Sequence, residues 1–218
     1  MNIDSNLPLP NNTKVRYNEC LAKIILESLF KDEFSNLDIV CERPDLQNEE
    51  LSVGVEVTIF ENDKQKEAES LYSKLEYGLA RNSKNAIRQI EKLGASYDNG
   101  VLHGISDTDS FERILISFKN KLENMNKGNF HIFEKNYLLI HSSIYATNEM
   151  INNAIGKMCE MQENMSQYFN KVYIVVPYYL YVCNLICKSS DIINIKDLQF
   201  DFAISARKMV EDIEWLKV

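Results

Sequence analysis

The chain has 218 residues, of which 45% are hydrophobic and 26% charged, and its net charge is −8. Such a chain can bury a real core, so extended disorder is excluded away from the ends. The acidic balance argues against broad, sequence-independent binding of nucleic acid by the chain as a whole, though a local basic groove stays open.

Four prolines and seven glycines leave no Pro/Gly-rich linker. A loose polar segment over 1–12 followed by a single α/β domain over 13–218 is therefore expected. The opening "MNIDSNLPLPNN" has neither the basic nor the apolar region of a secretory leader. Cys20, Cys41, Cys159, Cys183 and Cys187 include no CxxC pair, and Cys183-x3-Cys187 lacks a matching Cys/His pair for zinc. Dispersed thiols point to a reducing, cytoplasmic setting. The longest apolar run, 172–183, is too short to span a membrane and is broken by Pro177.

In chain order, Tyr17, Leu21, Ile24, Ile25 and Leu29 share one helical face, which predicts a helix from an N-cap at Thr13 to about Lys31. Residues 37–47, "LDIVCERPDLQ", read as extended, because the residue ahead of Pro44 disfavours helix. "NEE" makes a turn. In "LSVGVEVTIF" the alternation is strict: Val53, Val55, Val57 and Ile59 face one way, Gly54, Glu56, Thr58 and Phe60 the other. Residues 63–93 predict a long helix broken near Gly78, followed by a loop, "GASYDNGVLHG". Residues 110–125 predict an amphipathic helix capped by Asp109 or Ser110. A buried strand over 136–144, a helix over 148–169, one or two strands from Lys171 with Pro177 at a bend, and a C-terminal helix complete the order. Strands mixed with crossover helices imply a central mixed sheet flanked by helices.

The chemistry concentrates in 42–60. Asp45 precedes a turn, and Glu56 lies in the following strand among valines. A carboxylate there needs a metal, a base or a basic partner if it is buried, and needs nothing if that face is wet. Two carboxylates on adjacent antiparallel strands can converge on one face. Mg²⁺ takes hard oxygen ligands and keeps several waters, so two or three protein carboxylates suffice.

"ERPD" followed by "VGVEVT" resembles the PD-(D/E)XK nuclease superfamily, with its restriction-endonuclease-like fold, and is similar to members whose hairpin reads roughly E-R-P-D … G-I-E-V-T. The likeness is strong over about twenty residues, and the helix–hairpin–helix order of 13–93 fits it. The resemblance implies a Mg²⁺ site, with Mn²⁺ as a substitute, held by Asp45 and Glu56. Glu19 on the first helix would be an additional metal-binding carboxylate, with Glu27 a weaker candidate. It further implies hydrolysis of a nucleic-acid phosphodiester by metal-activated water, DNA ahead of RNA as partner, no membrane, and pairing into a homodimer.

The departure from the pattern is Thr58, which stands where the superfamily has lysine. Its hydroxyl can hydrogen-bond but carries no positive charge. Either a lysine reaches in from elsewhere, with Lys119 expected to turn inward ahead of Lys121, Lys64 and Lys66, or the fold binds without cutting. His141 at a strand end reads as structural. Arg81, Lys84 and Arg88 form a basic stripe that could track phosphates or simply face solvent.

Overall fold

The computed structural model describes residues 7–10, 13–60, 63–104 and 111–215. In chain order the elements are α1 (Tyr17–Leu29), α2 (Lys31–Phe34), β1 (Asp38–Ile39), β2 (Leu46–Asn48), β3 (Val53–Phe60), α3 (Asp63–Glu76), α4 (Ser83–Leu93), β4 (Ser96–Asp98) and β5 (Val101–His103). A single tight helical turn, Phe111–Arg113, then leads into α5 (Ile114–Met125). The rest are β6 (Lys135–Ser142), α6 (Asn148–Gln162), β7 (Lys171–Val176), β8 (Tyr179–Asn184), β9 (Ser189–Asn194) and α7 (Gln199–Trp215). These elements pack as two compact units. One takes the described residues of Val15–Phe60 and Ser110–Val210, the other those of Met1–Lys14, Glu61–Asp109 and Glu211–Val218.

The first unit is built on a seven-stranded mixed sheet in the order β1-β2-β3-β6-β7-β8-β9. The pairs β3–β6 and β6–β7 are parallel, and the outer pairs are antiparallel. Parallel neighbours need long crossovers, and helices supply them. The fold class is thus the α/β one expected, a central mixed sheet flanked by helices, consistent with a restriction-endonuclease-like sheet. Burial explains why the strand sequences read as they do. β6 and β7 are covered on both faces and carry apolar runs, Tyr137–Ile140 and Val172–Val176, as parallel strands between helical layers must.

One face packs Ile25 and Leu26 of α1, Phe34 of α2 and Phe202 of α7 onto Val53, Val55, Val57, Leu139 and Tyr173. The other packs Phe118 and Leu122 of α5 and Ile151 and Met158 of α6 onto Phe60, Leu138, Ile140 and Ile174. The alternation in β3 therefore points Glu56 and Thr58 toward the α5 side. His141 lies on β6 in register with Ile59. Its Nε2 lies 3.3 Å from the carbonyl of Asn18 on α1. Burial draws its pKa down to about 4, which fits a neutral packing histidine.

α2 is tied to the sheet by Glu33. Its carboxylate accepts from Lys171 Nζ at 2.9 and 3.0 Å, from Tyr137 at 2.5 Å and from Tyr173 at 3.3 Å. Those two tyrosines sit edge-on to each other and to Phe34. Burial alone would push the Glu33 carboxyl up, but the Lys171 and Tyr137 hydrogen bonds, the Lys171 charge and the Tyr173 bond outweigh it and hold it below its ordinary value.

The second unit is a helix pair with a hairpin. Ala68 of α3, Ile90 of α4 and Ala95 are buried together, with Tyr72, Tyr97 and Leu102 packed on them. Tyr97 donates to Glu76 at 2.8 Å and Tyr72 to the carbonyl of Gly100 at 3.0 Å.

Several boundaries differ from expectation. α1 starts at Tyr17, so Thr13 is not its cap, and it stops at Leu29 rather than Lys31. The expected loop after α4 is the antiparallel β4–β5 hairpin, turned by Asn99 and Gly100, both at positive φ (49° and 81°). The helix over 148–169 ends at Gln162. β9 has no counterpart among the expected elements. The expected caps Asp109 and Ser110 lie outside the described residues.

Replacing Glu33 by alanine leaves Lys171 and two tyrosine hydroxyls without their acceptor, and should cost about 2–4 kcal/mol of stability at neutral pH. The sign with pH follows from the lowered carboxyl. Its contribution is complete above the ordinary value of 4.5 and is lost as pH falls through the folded value. Urea melts of wild type and Glu33→Gln should therefore converge below about pH 4.5; a gap that widens on acidification contradicts the assignment.

Candidate functional site

The site forms where β2 begins against β3. The ladder pairs Leu46 with Val55. Extended by one residue, the register sets Asp45 opposite Glu56, and directly opposed residues of an antiparallel pair share a face. Asp45 is held at both ends. Its carbonyl accepts from Val40 N at 3.0 Å, and its Oδ2 accepts from Val57 N at 2.7 Å. A side-chain oxygen thus satisfies the amide of Val57, two residues beyond the last pair of the β2–β3 ladder, which fixes the carboxylate over the strand.

Gly54 is what lets the turn close this tightly. A Cβ there would lie 2.5 Å from Phe133 Cδ2 and 2.6 Å from Pro44 Cγ, far inside contact distance. Pro44 is buried and follows a cis Arg43–Pro44 bond. An open groove runs beside it, lined by Arg43, Asn129, Phe130 and His131 among others.

Glu56 is 1% exposed. Its Oε1 accepts from Lys121 Nζ at 2.6 Å, and Lys121, on α5, is itself only 22% exposed. Its Oε2 is buried without a hydrogen-bond partner among the described residues. Burial raises the Glu56 carboxyl first, the nearby Asp45 charge raises it further, and Lys121 and Arg43 pull it back only in part. The wet-face reading of this strand is therefore wrong for Glu56.

Glu19 is half-buried in the first turn of α1, where its Oε2 accepts from Arg16 N at 3.2 Å and so satisfies the amide at the helix start. Burial raises its carboxyl, the Arg16 amide lowers it, and the charges of Asp45 and Glu56 contribute to the rise. Glu19, Asp45 and Glu56 thus share one electrostatic neighbourhood. Glu27 is used elsewhere: it pairs with Lys23 at 2.5 Å and accepts from Leu37 N at 2.7 Å.

Lys119 does not turn inward. It is 62% exposed and stands 4.0 Å from Glu123. The helical repeat explains the correction. Phe118 and Leu122 define the buried stripe of α5, and Lys121 flanks that stripe next to Leu122, whereas Lys119 falls on the opposite side. Lys64 and Lys66 belong to α3 in the other unit. Thr58, half-buried, follows Glu56 by two residues on the same side of β3.

No group of three or more His, Cys, Asp or Glu side chains among the described residues is arranged to hold a metal ion. What fits one is the pairing of Asp45 with Glu56 and the unsatisfied Oε2. A buried carboxylate oxygen with no partner among the described residues is costly, and a cation beside it would relieve that cost.

Two substitutions probe this arrangement. Gly54→Ala should destabilise by roughly 1–3 kcal/mol, because Phe133 and Pro44 must both move; a thermal melt within error of wild type contradicts that packing. Lys121→Met strands the Glu56 charge and should cost about 3–5 kcal/mol at neutral pH, with most of it recovered in Lys121→Met/Glu56→Gln. An equal loss in the single and double variants would show that the pair is not coupled.

Comparison with family models, with curated proteins and with solved structures finds no match to this chain.

Proposed function

We propose that the chain is a PD-(D/E)XK-like, Mg²⁺-dependent nuclease that hydrolyses a nucleic-acid phosphodiester, DNA rather than RNA, by metal-activated water. The observation that carries this reading is Glu56: buried, beside Asp45, with one oxygen on Lys121 and the other without a partner among the described residues. Asp45 and Glu56 would hold the ion, and Glu19 would add negative charge from α1. A bound Mg²⁺ would supply Lewis-acid polarisation of the phosphoryl group and a lowered pKa for water.

The chain's own residues do the remaining work. Asp45 is oriented by the Val57 amide, so its position does not depend on a ligand. Lys121 offers the ammonium that Thr58 lacks, carried by a helix instead of the strand. Beside a phosphodiester it would orient the attacking water and meet developing negative charge. Cytoplasmic action and two copies cutting opposite strands belong to the same reading.

A second reading has its own support. Lys121 already neutralises Glu56, and no three-residue metal group is present among the described residues. A nuclease fold that binds or assembles without cutting would look the same.

Calorimetric titration with Mn²⁺ should give saturable heat for wild type and none for Asp45→Ala/Glu56→Ala. Wild type should cleave plasmid DNA with Mg²⁺, and Lys121→Ala should lower the rate by about 10²-fold or more while still binding metal. Identical heats in wild type and the double alanine variant remove the metal site. Metal binding without cleavage of DNA or RNA selects the second reading.

A further inference from the structure

The compact unit that carries α3 and α4 bears a charge pattern that the carboxylate site does not use. α4 begins on Asn82, whose side chain accepts from Asn85 N at 3.0 Å, and ends on Gly94 in the left-handed conformation, φ 96°. Ala86 and Ile90 turn inward. On the opposite side Lys84, Arg88 and Lys92 recur at i, i+4 and i+8, with Arg81 just ahead of the cap, and all four are exposed. At 1.5 Å rise per residue the helix sets one cation per turn, about 6 Å apart over about 12 Å.

None of these four cations makes an ion pair or hydrogen bond through its side chain among the described residues, Glu91 included. Three other exposed lysines pair, Lys119 and Lys127 with Glu123 and Lys157 with Glu112, while Lys31, Lys66, Lys74, Lys135 and Lys208 stand unpaired among the described residues but scattered over different elements. The one carboxylate on this helix, Glu91, makes no ion pair with them, so on this face four cations stand against a single acid. Unpaired like charges along one helix face repel, which costs stability unless a polyanion meets them. Every exposed residue of α4 is polar or charged, so the face offers nothing to insert into lipid. Regular spacing of charge is the property of a nucleic-acid backbone.

We infer that the exposed face of α4 is a backbone-contacting surface for nucleic acid, in which Arg81, Lys84, Arg88 and Lys92 meet successive phosphates. The choice of nucleic acid over another polyanion rests on the nuclease reading. The contacts are to phosphate, so they position the strand and carry no base preference.

The test is fluorescence anisotropy of a labelled short DNA duplex with the full chain, in EDTA, over a KCl series. The comparison is with Arg81→Gln/Lys84→Gln/Arg88→Gln/Lys92→Gln. The variant should bind at least about tenfold more weakly at low salt, and its plot of log affinity against log salt should be shallower by about 3.6, at ~0.9 for each of the four phosphates no longer neutralised. Arg81→Lys/Arg88→Lys keeps the charges and should bind as wild type does. If the quadruple variant does not fold, Lys84→Gln and Arg88→Gln alone should each remove about one unit of slope. Equal affinity and slope in a folded quadruple variant overturn the inference. So does a wild type that ignores DNA and binds phosphatidylserine vesicles.

EDTA keeps this result separate from cleavage. Weakened binding in the variant, with no Mg²⁺-dependent cutting by wild type, ends the nuclease reading and leaves the surface standing. Unchanged binding, with cutting intact, does the reverse.

Discussion

A buried carboxylate beside a second one is the constraint around which this sheet is organised. Glu56 lies in a strand whose neighbours on both sides are core residues, and it has no access to water. A charge there is met by Lys121, which must come from a helix packed on that face. The placement of α5 over β3 is thus set by two things at once: the apolar stripe through Phe118 and Leu122, and the reach of one ammonium to one oxygen. Asp45 adds like charge to the same spot and is fixed by a backbone amide. Two carboxylates and a lysine in such surroundings are hard to justify by stability alone, since replacing a buried ion pair with apolar side chains is often neutral or better.

The rest of the unit serves to make that spot rigid. Gly54 lets Phe133 and Pro44 close over the turn. Parallel pairing of β3 with β6 brings Leu138 alongside Glu56 and seals it from the next strand. On the far face Glu33 anchors α2 through Lys171 and two tyrosines. The same device of a carboxylate met by a lysine is there fully satisfied. The contrast is informative. Glu33 has both oxygens engaged and its carboxyl is lowered; Glu56 has one oxygen without a partner among the described residues and its carboxyl is raised. One is a finished structural contact, the other an unfinished one.

Much of this is legible in the sequence, because alternation in β3 and apolar runs in β6 and β7 are direct records of which faces are buried. The side shared by Glu56 and Thr58 follows from that alternation alone. Which lysine reaches Glu56 does not. Lys119 and Lys121 are two residues apart on one helix, and choosing between them requires knowing which flank of the apolar stripe overlies β3, a tertiary fact. The β4–β5 hairpin carries a signal that reading the segment as a loop overlooks: Asn99-Gly100 between two short alternating segments is the strongest local mark of a two-residue turn. β9, half-exposed at the sheet edge with two serines, an aspartate and an asparagine in six residues, carries almost no strand signal and depends on pairing with β8. Glu19 is expected as a ligand, and its capping bond to Arg16 shows that the same carboxylate also serves the helix start.

In the proposed metal site, the Glu56 oxygen that has no partner among the described residues and the Asp45 carboxylate together hold a divalent cation. Anomalous diffraction from crystals soaked in Mn²⁺ tests it most directly. One strong peak coordinated by both Asp45 and Glu56, absent from crystals of Glu56→Gln, is expected. A map with no peak at these two carboxylates, at saturating Mn²⁺, would contradict it.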